Sequence, residues 1–102
     1  MAISNDLFNR AMAIFQAFGP ERGTPVEERW TLYLPEIPAS AHRSLRRWCE
    51  QIESVAEKLA EQVLDGTLDQ DAGKAQLGKK FPALDPDRLA HTWSQAMYFA
   101  SK

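Results

Sequence analysis

The side chains best suited to metal binding or nucleophilic catalysis are few, and their spacing limits what they can do together. Cys49 lies two helical turns after His42 and one turn before Glu53, while His91 is far along the chain. A metal site needs three or four ligands from more than one element, and no CxxC, HxxxH or HExxH motif occurs. A cysteine nucleophile would need a base that only the fold could bring from His91. We therefore predict no catalytic residue, no metal and no cofactor, and we expect Cys49 to be a small buried apolar side chain.

A cluster of cationic side chains is the second feature with chemical potential. Arg43, Arg46 and Arg47 follow His42, and Trp48 comes directly after them. One interpretation is a solvated helix face. The other is a small cationic patch for an acidic partner, since Arg and Trp are the residues that interfaces favour. Acidic residues that would repel phosphate continue along the same segment: Glu50, Glu53, Glu57, Glu61 and Asp65.

The elements that must position these residues are helical. Apolar residues recur at helical spacing along almost the whole chain, which predicts five helices and no internal sheet. Ser4 is the predicted N-cap of the first helix, which Gly19 and Pro20 end. Thr24 and Glu27 have capping-box spacing at the start of the second helix.

The sequence also contains start or stop signals for the remaining three helices. The longest is predicted over residues 38–64, with Gly66 as its C-cap. Asp69 caps the fourth helix, whose two glycines each cost about 1 kcal/mol relative to alanine and make it the weakest helix by propensity. Asp85 caps the fifth, with Pro86 at its first position.

Residues 30–34, with the sequence WTLYL, have two interpretations. A short helix would place four residues on one face and end at Pro35: Val26, Trp30, Tyr33 and Leu34. The alternation of strand-forming residues instead predicts a five-residue strand. Because no other strand is predicted in this chain, that strand would need a second copy of the protein as its partner. We predict the helix and keep the strand as the alternative.

The longest predicted helix carries a continuous apolar seam. Its positions recur at steps of three and four residues: Leu45, Trp48, Ile52, Val55, Leu59 and Gln62, with Val63 beside the last. At 1.5 Å per residue the helix would span about 40 Å, which is longer than a compact domain of this size requires. We therefore expect part of the seam to extend past its own neighbours and to be covered by a second copy or by another protein.

Residues 77–93 have the spacing of two short helices packed across a tight turn. In a DNA-binding version the candidate contacts are Arg88, His91 and Thr92 for base edges and Lys74, Lys79 and Lys80 for phosphates. Against that version, Asp85 and Asp87 stand where phosphate would come closest, and Pro82 takes the place where glycine is expected. DNA binding through residues 77–93 is therefore the alternative function.

Composition limits the classes of protein and of binding partner that remain possible. The 102 residues suit a single domain covering residues 1–102, and 12 basic against 14 acidic residues give a net charge of −2. Such a balance provides no overall attraction to nucleic acid or anionic lipid. No apolar run approaches the ~18 residues that a membrane span needs. One cysteine fits a reducing compartment, so we predict a cytoplasmic protein.

These observations predict an all-α, single compact domain of about five helices with one long central helix. Its predicted function is that of a small non-catalytic regulator or adaptor that acts by protein–protein association as a homodimer. The partner is another protein or a second copy, with nucleic acid as the alternative and no membrane. The predicted partner-binding residues are Arg43, Arg46, Arg47, Trp48, Trp30 and Tyr33.

Overall fold

The computed structural model describes residues 3–17 and 23–102. Within them the chain forms five α-helices and no β-strand: α1 (Asn5–Phe15), α2 (Val26–Tyr33), α3 (His42–Leu64), α4 (Gln70–Lys80) and α5 (Pro86–Ala100). A 3-10 turn, Ala39–Ala41, leads into α3, which is the longest helix at 23 residues. The predicted all-α class, with five helices of which one is long, is confirmed. The predicted end of α1 at Gly19 and Pro20 lies outside the described residues.

Side-chain caps begin three of the helices as predicted. Ser4 Oγ accepts a hydrogen bond from the Leu7 N–H at 3.1 Å. The carboxylates of Asp69 and Asp85 accept hydrogen bonds from backbone N–H groups in the first turns of α4 and α5. Each cap provides an acceptor for a donor that has no partner inside its helix. The three predicted starts are confirmed.

The start of α2 differs from the prediction. Pro25 is the N-cap, so Thr24 precedes the helix. No side chain makes a capping hydrogen bond at this end. The predicted capping box of Thr24 and Glu27 is wrong. The prediction of a helix over residues 30–34 is confirmed, because α2 continues to Tyr33 and Leu34 is its C-cap. The alternative strand is absent from these described residues.

Gly66 ends α3 as predicted. Its φ of +85° lies in the left-handed region that only glycine adopts without strain. The Gly66 N–H donates to the Val63 carbonyl at 3.2 Å, and the Thr67 N–H donates to the Gln62 carbonyl at 3.0 Å. This pair of hydrogen bonds is a Schellman motif, which satisfies the last carbonyls of the helix.

The chain clusters into two compact units, Met1–Cys49 and Glu50–Lys102. In the first unit, α1 and α2 are joined by polar contacts from buried side chains. The Trp30 indole N–H donates to the Ala11 carbonyl at 3.0 Å. The Arg29 guanidinium donates to the carbonyls of Ile14 and Thr24. A cation at the carboxyl end of α1 is favoured by the helix dipole, so Arg29 holds the end of α1 beside α2.

In the second unit, both glycines of α4 lie where the helix closely approaches α5. A Cβ on Gly73 would lie 2.6 Å from Cη2 and 3.0 Å from Cζ2 of Trp93, and 3.3 Å from Cγ2 of Val63. A Cβ on Gly78 would lie 2.9 Å from Cδ2 of Leu89. The residues that weaken α4 by propensity therefore permit its packing, which compensates for their cost.

The buried face of α3 differs from the predicted seam, and several of its side chains are small. Leu45, Cys49, Ile52, Ala56 and Ala60 are all fully buried. The seam positions at 48, 55, 59 and 63 are only half-buried, and position 62 is exposed. In α3, all of whose residues are described, the only exposed apolar side chain is Leu64, at 49 %. The expected long uncovered stretch is therefore absent, and this correction removes helix length as an argument for association.

Replacing Gly73 with alanine tests the close approach of α4 to α5. Alanine in an unconstrained helix stabilises by about 1 kcal/mol relative to glycine. Here we expect Gly73→Ala to destabilise the protein by about 1–3 kcal/mol, because the new Cβ would force the buried Trp93 ring to shift. Urea unfolding followed by Trp fluorescence measures the change.

Gly78→Ala is the matched control, since it faces the end of the flexible, half-buried Leu89 side chain. We expect a smaller loss than at Gly73. A Gly73→Ala protein as stable as the wild type would contradict the packing described for Trp93.

Candidate interaction surface

The arginine cluster occupies the first two turns of α3. Because the α-helix begins at His42, the cluster is closer to the helix N-terminus than a start at residue 38 would place it. Arg43, Arg46 and Arg47 are all exposed. Cations at this end oppose the helix dipole, which costs a few tenths of a kcal/mol at an exposed position. The three side chains therefore form a cationic surface that local helix energetics does not favour.

Arg46 is held by an ion pair with α2. Its Nη1 lies 2.9 Å from Oε2 and 3.1 Å from Oε1 of Glu27. The hydrogen bond from Arg46, followed by a backbone hydrogen bond, holds the pKa of Glu27 below its ordinary value, although desolvation opposes the change. The pair connects the start of α2 to the first turns of α3. Arg46 is therefore fixed in place beside the other two arginines.

A double-mutant cycle on Glu27→Gln and Arg46→Met tests this ion pair. We expect a coupling free energy of about 0.5–1 kcal/mol at neutral pH, because both side chains are partly exposed and screened. The pKa of Glu27 is lowered in the folded protein, so the contribution is complete above the ordinary glutamate pKa. The contribution of the ion pair disappears as the pH falls through the lowered pKa of Glu27. Urea unfolding at neutral pH and near pH 2 measures the coupling, and an equal coupling at both pH values would contradict the assignment.

Trp48 is the half-buried aromatic side chain beside this cationic surface. Its ring stacks on Phe8 with centroids 4.1 Å apart and an interplanar angle of 25°. Phe8 is 1 % exposed, so one face of Trp48 rests on the core. Trp48 as a whole is half-buried, and Arg47, its neighbour in sequence, is exposed. Trp48 thus has the position expected of a rigid contact residue.

The two aromatic residues predicted on α2 have different environments. Trp30 has no exposed surface, and its polar atom is hydrogen-bonded to the Ala11 carbonyl. A fully buried ring cannot contact a partner, so Trp30 is removed from the predicted surface. Tyr33 is 47 % exposed and its neighbour Leu32 is 69 % exposed. Sequence reasoning missed Leu32, although its position off the buried stripe of Val26 and Trp30 was the available signal.

The cysteine and the first histidine considered for chemistry are both buried. Cys49 has no exposed surface, which confirms it as a buried small side chain. The His42 ring is buried 5.5 Å from the Trp30 ring, and its Nε2 has no hydrogen-bond partner among the described residues. Residues 3–17 and 23–102 contain no group of three His, Cys, Asp or Glu side chains that could hold a metal ion.

The helix pair predicted over residues 77–93 is present. Three apolar side chains of this segment are buried: Leu77, Phe81 and Leu84. Thr92, however, is only 2 % exposed, so its predicted contact with base edges is wrong. Partial desolvation, and then the charge of Arg88, lowers the pKa of His91. The protonated form of His91 is therefore less favoured than in an ordinary histidine, which weakens its case as a cation at the front of α5.

A groove between α3 and α5 in the second unit was not predicted. It has a volume of about 250 Å³ and is lined by Glu57, Glu61, Phe99 and Ala100. The Phe99 ring meets Tyr98 edge-on at 5.5 Å, and Nζ of Lys102 lies 5.4 Å from its centroid. The groove thus combines two carboxylates with an aromatic ring that already faces a cation. Sequence reasoning treated the acids as a repulsive continuation of the helix and did not place them beside α5.

Comparison of the chain with protein-family models, curated proteins and solved structures finds no match. In the described part of the chain, no helix combines the length and the apolar character needed to cross a membrane. A function must therefore be argued from the surfaces described above.

Proposed function

We propose that this protein is a small, cytoplasmic, non-catalytic regulator or adaptor that acts by protein–protein association and forms a homodimer. The observation that carries the proposal is the pairing of an exposed arginine cluster with a half-buried tryptophan on the first turns of α3. Arg and Trp are the residue types that most often dominate binding energy, particularly where the aromatic ring is held rigidly. The stack of Trp48 on Phe8 provides that rigidity.

The proposed contact surface contains Arg43, Arg46, Arg47 and Trp48, with Tyr33 as a further contact residue. Arg46 is restrained by Glu27, so part of the ordering entropy has been lost before a partner arrives. Arg43 and Arg47 have no ion-pair partner among the described residues. A partner with exposed carboxylates would complement these two charges.

Binding through this surface is tested by affinity capture from the native host. We expect Arg43→Ala/Arg47→Ala to reduce recovery of the specific partner about tenfold or more, because two charged contacts are removed. Lys79→Ala/Lys80→Ala is the matched control, since it removes two exposed cations from α4. Equal recovery with both variants would contradict the proposed surface.

Self-association is tested separately by sedimentation equilibrium of the purified protein. We expect the apparent mass to rise from one chain towards two between low and high micromolar concentration. A single-chain mass over the whole range would refute the homodimer, and the capture experiment would then decide whether the protein binds a different partner.

DNA binding through residues 77–93 is the second candidate function. The packed α4–α5 pair and the exposed Lys79 and Lys80 favour it, whereas the burial of Thr92 and the lowered pKa of His91 oppose it. A gel shift with mixed genomic fragments at two salt concentrations separates the candidates. Specific retention that weakens steeply with salt would support DNA binding, and its absence would leave protein association.

A further inference from the structure

The groove between α3 and α5 in the second unit carries two carboxylates that nothing in the described chain pairs with. Glu57 and Glu61 are both exposed, and they line the groove together with Phe99 and Ala100. Neither carboxylate has an ion-pair partner among residues 3–17 and 23–102. Because the two residues are four apart on one helix, their side chains are neighbours and their charges repel. A cation bound in the groove would relieve this repulsion.

The lysine nearest in sequence lies outside the groove. Lys58 directly follows Glu57, and consecutive residues of a helix do not face each other. Lys58 also precedes Glu61 by three residues, a spacing that permits an ion pair, yet none forms within the described part of the chain. Lys58 is exposed and does not line the groove. The two carboxylates are therefore available to a cation from elsewhere.

A second, independent observation shows that the aromatic wall of the groove accepts a cation. Nζ of Lys102 lies 5.4 Å from the centroid of the Phe99 ring and 4.9 Å from that of the Tyr98 ring. Both distances are within the ~6 Å range of a cation–π interaction. In the two described ranges, however, no ion pair joins Lys102 to either carboxylate of the groove. The lysine contacts the ring and leaves the carboxylates unpaired.

The lining and the size of the groove limit the class of ligand. Its two carboxylates disfavour an anion, since like charges repel. A metal ion needs more ligands, and residues 3–17 and 23–102 contain no group of three side chains that could hold one. At about 250 Å³ the groove is smaller than the ~300–1,000 Å³ pockets that hold drug-sized molecules. A single cationic side chain has the appropriate charge and size.

We propose that this groove binds an arginine side chain from a basic segment of another protein. A guanidinium is planar, so it can stack on the Phe99 ring while its N–H groups donate to Glu57 and Glu61. An ammonium group has no planar face and is a compact point charge, and Lys102 accordingly contacts the ring alone. The site uses no residue of the proposed contact surface, so it goes beyond the proposed function and does not depend on it.

NMR titration of the full-length, isotope-labelled protein tests the site. The probe is a blocked tripeptide with arginine between two glycines. We expect it to shift the resonances of Phe99 and Ala100 at low salt with a dissociation constant of about 1–10 mM, because exposed ion pairs are individually weak. The same peptide with lysine in place of arginine should bind about threefold more weakly, because it cannot pair and stack at once.

Two double variants separate the groove from net charge. The groove variant, Glu57→Gln/Glu61→Gln, should raise the dissociation constant of the arginine peptide about fivefold or more, because both charge-assisted hydrogen bonds are lost. The control variant, Asp71→Asn/Asp87→Asn, removes the same charge from exposed positions on α4 and α5 and should bind as the wild type does. Far-UV circular dichroism checks that both variants are helical.

Lys102→Ala provides a test that loss of structure cannot imitate. This substitution removes the cation that lies over Phe99, so the ring no longer presents a like charge to the incoming arginine. We expect the arginine peptide to bind about two- to threefold more tightly to this variant. An unchanged or weaker affinity would contradict the place given to the Phe99 ring in the site.

The outcomes separate an arginine of a partner from other occupants. Shifts at Phe99 that the groove variant weakens and the control variant preserves support the proposal, whereas equal binding by both variants, or no shift at Phe99, overturns it. Tighter binding of butylammonium than of the arginine peptide would assign the groove to a small free amine. Phe99 resonances that change with protein concentration alone would assign it to a second copy. Either result would overturn the proposal and leave the proposed function to its own tests.

Discussion

Burial of one face of α3 is the constraint on which the rest of this surface depends. Leu45, Cys49, Ile52, Ala56 and Ala60 are fully enclosed, and they occupy a single arc of the helix. Because the inward arc is fixed, the rotation of α3 about its axis is fixed as well. The side chains opposite that arc must then face solvent along the whole helix. The charged residues at both ends of α3 thereby become a permanent feature of the protein surface.

The enclosed arc depends on small side chains as much as on large ones. Cys49, Ala56 and Ala60 are small and fully buried, and Gly73 lets α4 approach the Trp93 ring closely. Close packing of this kind gains dispersion contacts and excludes water, and both effects outweigh the lower helix propensity of glycine. The single thiol is therefore explained by packing, since a buried cysteine behaves as a small apolar group.

The exposed charged side chains of α3 are distributed unevenly along the helix. Cations gather at the start of α3, where Arg46 is restrained by Glu27 and Trp48 is supported by Phe8. Carboxylates gather at the other end, beside the aromatic ring of Phe99. The three Arg and one Lys of α3 balance its four Glu, so the net charge of the helix conceals this division. A protein with such a distribution has little long-range attraction for any polyanion, but it presents two local surfaces with opposite preferences.

Local chemistry in the sequence determined the helices and most of their ends. Ser4, Asp69 and Asp85 are caps because their oxygens reach backbone donors a few residues away, and Gly66 ends α3 because only glycine tolerates its φ. Such interactions involve near neighbours and can be derived from spacing. The capping box at Thr24 failed because two local signals competed, and Pro25 took the capping position.

Tertiary structure alone decided which side chains are available to a partner. Trp30 and Tyr33 are three residues apart on one short helix, yet one is enclosed and the other is half exposed. The groove beside Glu57 and Glu61 exists only because α5 brings Phe99 next to them. Exposure depends on contacts between residues distant in sequence, and periodicity records only that an apolar face exists. The sequence therefore determined the helices and the charges they carry, whereas packing decided which of those charges and rings meet solvent.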